Sequence, residues 1–546
     1  MAVLISIAFL WAWAALVPRL IPELVKPKAA AVKEAAPPSG SSSSTVTSTS
    51  VGTTAERDTT SPAPVAPASV QKAAASVQVT TVDTPEFVAR FSNRGAQLVS
   101  FQLKHYKMAD GFPVDLVKGR DPSRTDYPFA LVGADPAFNA FANGSLYEVA
   151  NQSNGPVRTI TYTVSNGTVS ISKIFRIGVE QQFGFSISVT PPAIPFRVVI
   201  GPGIRTLGPD EKDNQFIVTG NAVIQREDSL KVVAREKAPL FQTFDPPIDY
   251  VGIEDNYFLT VLKPEKAGTA TVKAADFPLP GSEQKKRRDL YAGLNSAPGS
   301  GLVSGTTFFG PKKAELLEHY GLEKTLQFGA FGIIARFLLT ALVWINRTTR
   351  NYGFAIIVLT ILLKVVLYPL QHKSIVSMKK MQRVQPKMNV IRDRYKKAKT
   401  DSEQRQKMNM EMMKLYQQEG ISPMGGCLPM VLQLPILWGF YGLLGKAIEL
   451  RGAPFIGWIH DLSLKDPYYI TPVLMTITMF VQQLITPNTA DATQRRMFLI
   501  LPLVFGWIFK EFPSGLVLYW LVQNVLTIIQ QTIMNKYWKD HPADVT

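Results

Sequence analysis

Hydrophobic and polar positions divide this chain into stretches of different period. Residues 2–17 (AVLISIAFLWAWAALV) form an apolar run closed by Pro18 and Arg19. The run is shorter than the ~20 residues of a comfortable membrane span, but Leu20 and Ile21 extend it. It reads as a retained anchor over 1–22; a cleaved signal peptide, with Ala12-Trp13-Ala14 near the cut, is the alternative. Residues 23–76 are mostly Ala, Pro, Ser and Thr (PPSGSSSSTVTSTSVGTT). They bury too little to offset chain entropy and read as a flexible exported tether. From 77 to 318 the texture is short alternating runs broken by Gly, Pro, Asn and Asp. VQVTTVD, FVARFSN, RTITYTVSN, TVSISKIFRI, FGFSISV, FRVVIG and NYFLTVL read as half-buried antiparallel strands, and together they predict one large external β-sandwich.

Helical periodicity returns at Ala314. The segment 319–347 contains FGAFGIIARFLLTALVWI and resembles a span. If it crossed, however, the basic segment beyond the next helix would lie outside, against the positive-inside rule. It is therefore expected to lie along the outer interface as an amphipathic helix. Spans are expected at 353–371, 425–446, 470–486, 497–511 and 514–534. A cytoplasmic helical hairpin would occupy 372–420, with a break at Pro386. The external loop is 447–469, with Phe455, Trp458, Tyr468 and Tyr469 as aromatic anchors; the inner loop is 487–496 and the inner tail 535–546. The fold class is a polytopic α-helical membrane protein, an N-terminal anchor plus a five-helix core, carrying an all-β sandwich domain outside.

Composition changes this picture little, and charge changes it more. The 546 residues are 46% hydrophobic and 18% charged with a net charge of +16. Between 372 and 414 thirteen cations face four acids, so much of the excess sits in one juxtamembrane hairpin, which weakens a nucleic-acid reading. The single cysteine, Cys427, excludes an intrachain disulfide and a multi-cysteine zinc site. The β region holds one histidine, His105, and no hydrolase, metalloprotease or phosphate-loop motif. Glu227, Asp228 and Asp255 could pair as sugar-hydrolase carboxylates; surface solvation is the simpler account of them. No enzyme activity, cofactor, metal or small-molecule substrate is expected.

The costliest residue is Lys364, inside FAIIVLTILLKVVLYPL. A cation near the centre of a span costs ~3 kcal/mol on insertion scales. It shares one helical stripe with Thr360, Tyr368 and Gln371. It lies about 12 Å from the inner boundary, and side chains lean toward a helix N-terminus, here the outer side. The spans contain no acid to meet it. They do contain Gln433, Thr476, Thr478, Gln482 and Gln483, and on the last span Gln523, Asn524, Thr527, Gln530 and Gln531. Singly these could be interhelical glue; around an unpaired cation they read as a hydrated pocket. The hairpin concentrates Met378, Met381, Met388, Met408, Met410, Met412 and Met413, either a coiled-coil seam or an adaptable apolar surface.

NYGFAIIVLT, the QPK of the hairpin, SPMGGCLP, ELRGAPFIGWIHDLSLKDPYY and FPSGLVLYWLVQN followed by TIIQQ resemble the YidC/Oxa/Alb family of membrane protein insertases across the whole membrane region. The anchor and β domain resemble the form found in bacteria with two membranes, whose external domain is a mutarotase-like supersandwich without known catalysis. The resemblance implies a multi-pass inner-membrane protein with its β domain in the periplasm and its C-terminus in the cytoplasm. It implies a groove that receives a polar, often acidic, segment of a nascent membrane protein while the apolar helix slides along the lipid-facing side. The family's cation, usually arginine, falls on Lys364, its substrate-contacting threonine on Thr360, and its aromatic contact on Trp520, where tyrosine is more usual. Tyr368, Gln433, Gln523, Asn524 and Thr527 would complete the groove. Met378, Lys379, Lys380, Met381, Arg495 and Arg496 would meet substrate or ribosome on the inner side. The Sec translocon, the ribosome and the phospholipid bilayer are the implied partners. A transporter would need paired ionisable groups or broken helices in repeated halves. An anchored carbohydrate enzyme would lose its function on deletion of 80–310.

Overall fold

The computed structural model describes residues 74, 76–108, 110–117, 126–208, 211, 217–266, 268–279, 282–395, 401–420, 428–486 and 492–540. At 278, 279, 282–285, 428–430, 432, 492–497 and 538–540 only the backbone is described. The expected anchor at 1–22, most of the tether, Cys427, the inner turn at 487–491 and the last residues of the tail lie outside the described residues.

Alternation builds the β domain. Gln182–Thr190 (QFGFSISVT) buries Phe183, Phe185, Ile187 and Val189 and turns the residues between them outward. Its neighbours complete an antiparallel nine-stranded sheet, in the order Ser229–Val233, Thr219–Arg226, Tyr250–Asp255, Phe258–Pro264, Leu302–Pro311, Gln182–Thr190, Ser170–Ile177, Val157–Ser165 and Glu148–Asn154. A five-stranded sheet orders Phe241–Phe244, Ala270–Leu279, Ser282–Asn295, Phe196–Ile200 and Ala130–Gly133. A four-stranded sheet runs from Val79–Asp83 through Phe87–Ser92 and Gln97–Lys107 to Pro113–Asp115. One buried cluster joins residues from all three sheets. Its centre is aromatic: Phe101 lies 4.5 Å from Phe87 and 5.2 Å from Phe309 between ring centroids. The sandwich reading holds. It missed helix α1 (Pro136–Gly144), which Asp135 caps through the Ala137 amide at 2.9 Å.

Lys173 is a fully buried cation in this domain, held by carbonyls beside the Tyr147 ring, whose centroid is 5.6 Å from the ammonium. Its Nζ donates to the carbonyl oxygens of Gly95 (2.6 Å), Phe129 (2.7 Å) and Ala96 (3.5 Å). All three acceptor residues have positive φ, so one ammonium ties together two left-handed turns. Burial pushes its pKa down from 10.5 to about 7. The folded chain therefore releases this proton at lower pH than the unfolded chain does. Between about 7 and 10.5 the unfolded state binds more protons, and stability rises with pH. The urea midpoint of the wild type is expected to rise across that window, and that of Lys173→Met to stay flatter; parallel curves would refute the assignment.

The helical half follows. α2 (Ala314–His319) and α3 (Gly332–Thr349) lead into α4 (Tyr352–Arg394), α5 (Ser402–Gln418), α6 (Leu428–Leu444), α7 (Ile470–Ile485), α8 (Ala492–Phe509) and α9 (Ser514–Asp540). α3 buries Ala335, Leu338, Leu339, Leu342 and Ile345, a helical stripe, yet also exposes Ile333, Phe337 and Trp344. α4 corrects one expectation: it is a single helix of 43 residues that continues through Pro369 and Pro386, with no break at the latter. Each proline removes one ladder hydrogen bond; at Pro386 the packing of α5 holds the arm in line. That hairpin has its own small core of Val384, Met388, Ile391, Met412, Leu415 and Tyr416. The methionines divide between the two readings, since Met388 and Met412 are seam residues while Met410 and Met413 are exposed.

Among the described residues two helices, Tyr352–Arg394 and Ser514–Tyr537, are long and apolar enough to cross a membrane; Gln433–Leu444, Ile470–Ile485 and Phe498–Phe509 are shorter apolar helices. Val365, Val366, Leu484, Leu503 and Trp507 stand exposed around the bundle. Such a belt suits hydrocarbon and not water.

The loop between α6 and α7 meets the β domain through four charges. Arg205 is completely buried and donates through Nε to Asp255 (2.6 Å) and through Nη1 and Nη2 to Glu211 (2.6 and 3.1 Å). Arg451, from the loop, reaches Glu211 Oε1 at 3.1 Å and the Lys107 carbonyl at 3.1 Å. Asp255 is thus buried beneath an arginine, which corrects its reading as a solvated surface acid; Glu227 and Asp228 are exposed. Burial raises the Glu211 pKa, but the Arg205 hydrogen bonds and the charges of Arg205 and Arg451 hold it below the usual carboxylate value.

Candidate functional site

Asn351 starts α4, the helix that carries Lys364. Its Oδ1 accepts from the amides of Gly353 (2.9 Å) and Phe354 (3.2 Å), and its Nδ2 donates to the Phe455 carbonyl at 2.9 Å. A Cβ at Gly353 would stand 2.0 Å from the Phe455 ring, so glycine is what lets the helix and the α6–α7 loop touch. α9 is tied to the same loop, because Ser514 and Gly515 donate to the carbonyls of Leu464 (2.7 Å) and Leu462 (3.0 Å). α4 and α9 therefore begin at fixed positions and pack together.

Along that seam a chain of polar contacts crosses three helices. Lys364 is half-buried, and its Nζ donates to Thr527 Oγ1 at 2.9 Å. The Thr527 hydroxyl donates to the Gln523 carbonyl at 2.7 Å, and Gln523 Nε2 donates to Gln433 Oε1 on α6 at 3.4 Å. Gln433 Nε2 donates in turn to the Tyr519 hydroxyl. Tyr519 is buried and stacks on Phe440 with centroids 4.2 Å apart. Tyr441, Phe509 and Phe512 extend this aromatic layer. A polar seam with a cation thus ends, toward the α6–α7 loop, on packed rings. Toward the hairpin it continues into buried amides: Gln371 Oε1 and both amide atoms of Gln530 have no hydrogen-bond partner among the described residues.

Of the residues singled out in the sequence, Lys364, Thr527, Gln523 and Gln433 come together on this chain. Asn524 faces α7 instead, donating to Thr478 Oγ1 at 3.3 Å. Thr360 is fully buried and its hydroxyl returns to the Ile356 carbonyl at 2.6 Å. Trp520 lies against Phe509 and Phe505 on α8, with centroids 5.3 and 6.3 Å away. Tyr368 is exposed beside His372. On the hairpin Met378, Lys379, Lys380 and Met381 are half-buried. The side chains of Arg495 and Arg496 lie outside the described residues. Sequence reasoning overlooked Tyr519; its position four residues before Gln523, on the same helical face, was the available signal. No cluster of three or more metal-ligating side chains is found among the described residues.

Residues 344–541 match the family model described as the 60Kd inner membrane protein, and residues 79–341 match the model described as the YidC periplasmic domain. A membrane protein insertase YidC from Geobacter metallireducens is 35% identical over 570 residues, which cover 98% of this chain and 97% of that protein. The one from Nitratidesulfovibrio vulgaris is 35% identical over 501 residues, 87% of this chain and 89% of its own. Among solved structures, an active YidC insertase with its first transmembrane domain resolved covers 85% of this chain and 93% of its own at 18% identity, with a TM-score of 0.36. YidC from Thermotoga maritima covers 83% and 99% at 14% identity, with a TM-score of 0.29.

Proposed function

Since this chain belongs to the YidC family of membrane protein insertases, and is an inner-membrane protein with a periplasmic domain, we propose that the seam around Lys364 is where it handles its clients. The observation that carries this reading is the Lys364–Thr527 contact. An intramembrane ammonium is met by a hydroxyl rather than a carboxylate, which leaves its charge available to an incoming acid. A client's polar segment enters from the hairpin side, exchanges water for Lys364, Thr527, Gln523 and Gln433, and is stopped by the Tyr519–Phe440 layer until its apolar helix has moved into lipid. Lysine attracts a carboxylate as a point charge, without the bidentate fork of arginine. Thr360 supports the groove from within its own helix, and Tyr368, Asn524 and Trp520 border it.

Short helices favour the same step. α7 has 16 residues, about 24 Å of helix against a hydrocarbon core of about 30 Å, so the bilayer beside it thins and the low-dielectric path shortens. The chain works without cofactor, nucleotide or small-molecule substrate, and catalyses no covalent reaction. The basic hairpin and the C-terminus lie in the cytoplasm, where the ribosome docks on the hairpin and on the loop before α8. α3 lies at the outer interface. Delivery is direct or from the Sec translocon.

Photo-crosslinking tests this. A photoreactive residue at Trp520 or Tyr368 is expected to capture a client arrested during insertion, with the contact confined to its polar segment and the adjoining turn of its helix. Capture from the lipid-facing Val366 alone would overturn the groove.

A further inference from the structure

A cavity of about 1410 Å³ opens between the β domain and the α6–α7 loop. The β-domain wall presents Tyr106, Met108 and Glu211; the loop wall presents Trp458, Leu464 and Tyr468. Of the charges at its edge, Glu211 holds Arg451 and Lys465 reaches Glu511 at 2.9 Å, while the exposed Lys107 also lines it. The Trp458 indole N–H is spent on Asp466 at 3.0 Å, within the loop. Most of what remains toward the cavity is aromatic, thioether and aliphatic surface, with His105, Lys107, His460 and Asp461 spaced along it. Such a lining suits an extended polypeptide of mixed composition, not a single charged headgroup.

We propose that this cavity receives the segment of a client protein that has just been exported. The inference rests on the groove reading above and extends it to the far side of the membrane. Its support is continuity. The loop that floors the cavity is the one whose Phe455 packs on the start of α4 and whose Leu462 and Leu464 carbonyls hold the start of α9. A segment passing the aromatic layer at Tyr519 therefore emerges beside this loop. Because it is tethered to a helix already in the bilayer, its effective concentration is in the mM range, and weak contacts suffice to hold it.

Photoreactive residues at Met108 and Leu464 in the full-length protein in liposomes test the proposal, with Val157, exposed on the β domain outside this cavity, as the control. The client is a single-span protein with a long polar exported tail, or the same protein with the tail trimmed away. Capture from Met108 and Leu464 is expected to exceed that from Val157 by about tenfold, because all three share the tethered tail and only the first two lie where it is held, and to vanish with the tail. Capture that ignores the tail, or only of lipid, would overturn the proposal. So would its loss while Trp520 still captures the client, an outcome that spares the groove. Loss at Trp520 as well would overturn both.

Discussion

Lys364→Glu stops insertion of clients whose exported segment is acidic, while Lys364→Arg inserts them at close to the normal rate. In an environment of effective dielectric about 20, unit charges 4 Å apart interact by about 4 kcal/mol. Charge reversal turns that attraction into repulsion. Water in the seam screens most of the change, yet a residual 3 kcal/mol or so is roughly a hundredfold in rate. The substitution also loses the Nζ–Thr527 hydrogen bond, so Lys364→Met provides the control for that loss alone. Protease protection of the exported tail in liposomes reads the outcome. Clients with neutral tails should separate the variants far less; equal insertion of acidic tails by Lys364→Glu would remove the electrostatic part of the mechanism.

Arg205→Met has the largest expected effect on stability. It strands Asp255 and part of Glu211 in a site where Arg205 itself has no exposed surface. Removing one partner of a buried ion pair costs about 3–5 kcal/mol, because the remaining charge stays buried. Urea unfolding of the full-length chain in detergent should show the loss, and Arg205→Met with Asp255→Leu should recover part of it. Acid should imitate the variant. Glu211 is held below its ordinary value of 4.5, so its contribution is complete above that pH and is lost as pH falls through its folded-state value. A wild-type midpoint unchanged between about pH 6 and about pH 3, which bracket the ordinary carboxylate range, would contradict this.

Period made most of the architecture readable. Strands such as Gln182–Thr190 alternate because one face is buried, and α7 is bounded by turn chemistry at both ends. The long strand Ser282–Asn295 (SEQKKRRDLYAGLN) escaped because only its last part, Leu290, Ala292 and Leu294, enters the core. Its charged start is held by pairing, with Arg288 on Asp276 at 2.8 Å. In the site, Lys364 and its stripe were legible because a charge in an apolar helix is costly wherever it lies. Its partner was not: Thr527 sits 163 residues away, and no local pattern distinguishes it from Asn524, which faces another helix. Asp255 was misread for the same reason. Burial of an acid depends on an arginine 50 residues earlier, and nothing in the neighbouring residues records it.

The four-charge cluster at Arg205 also has a clock. Glu211 and Arg451 are separated by 240 residues of chain. At the ~5–20 residues per second of ribosomal synthesis, the arginine follows the glutamate by roughly 12–50 s. From the synthesis of Asp255 until that of Arg451, the trio Arg205, Glu211 and Asp255 is without its fourth member and carries one net negative charge. The β domain can assemble its sheets in that time, but this corner becomes neutral only once the loop after α6 has brought Arg451 to it. Closure of this corner therefore waits on a residue from the C-terminal half of the chain.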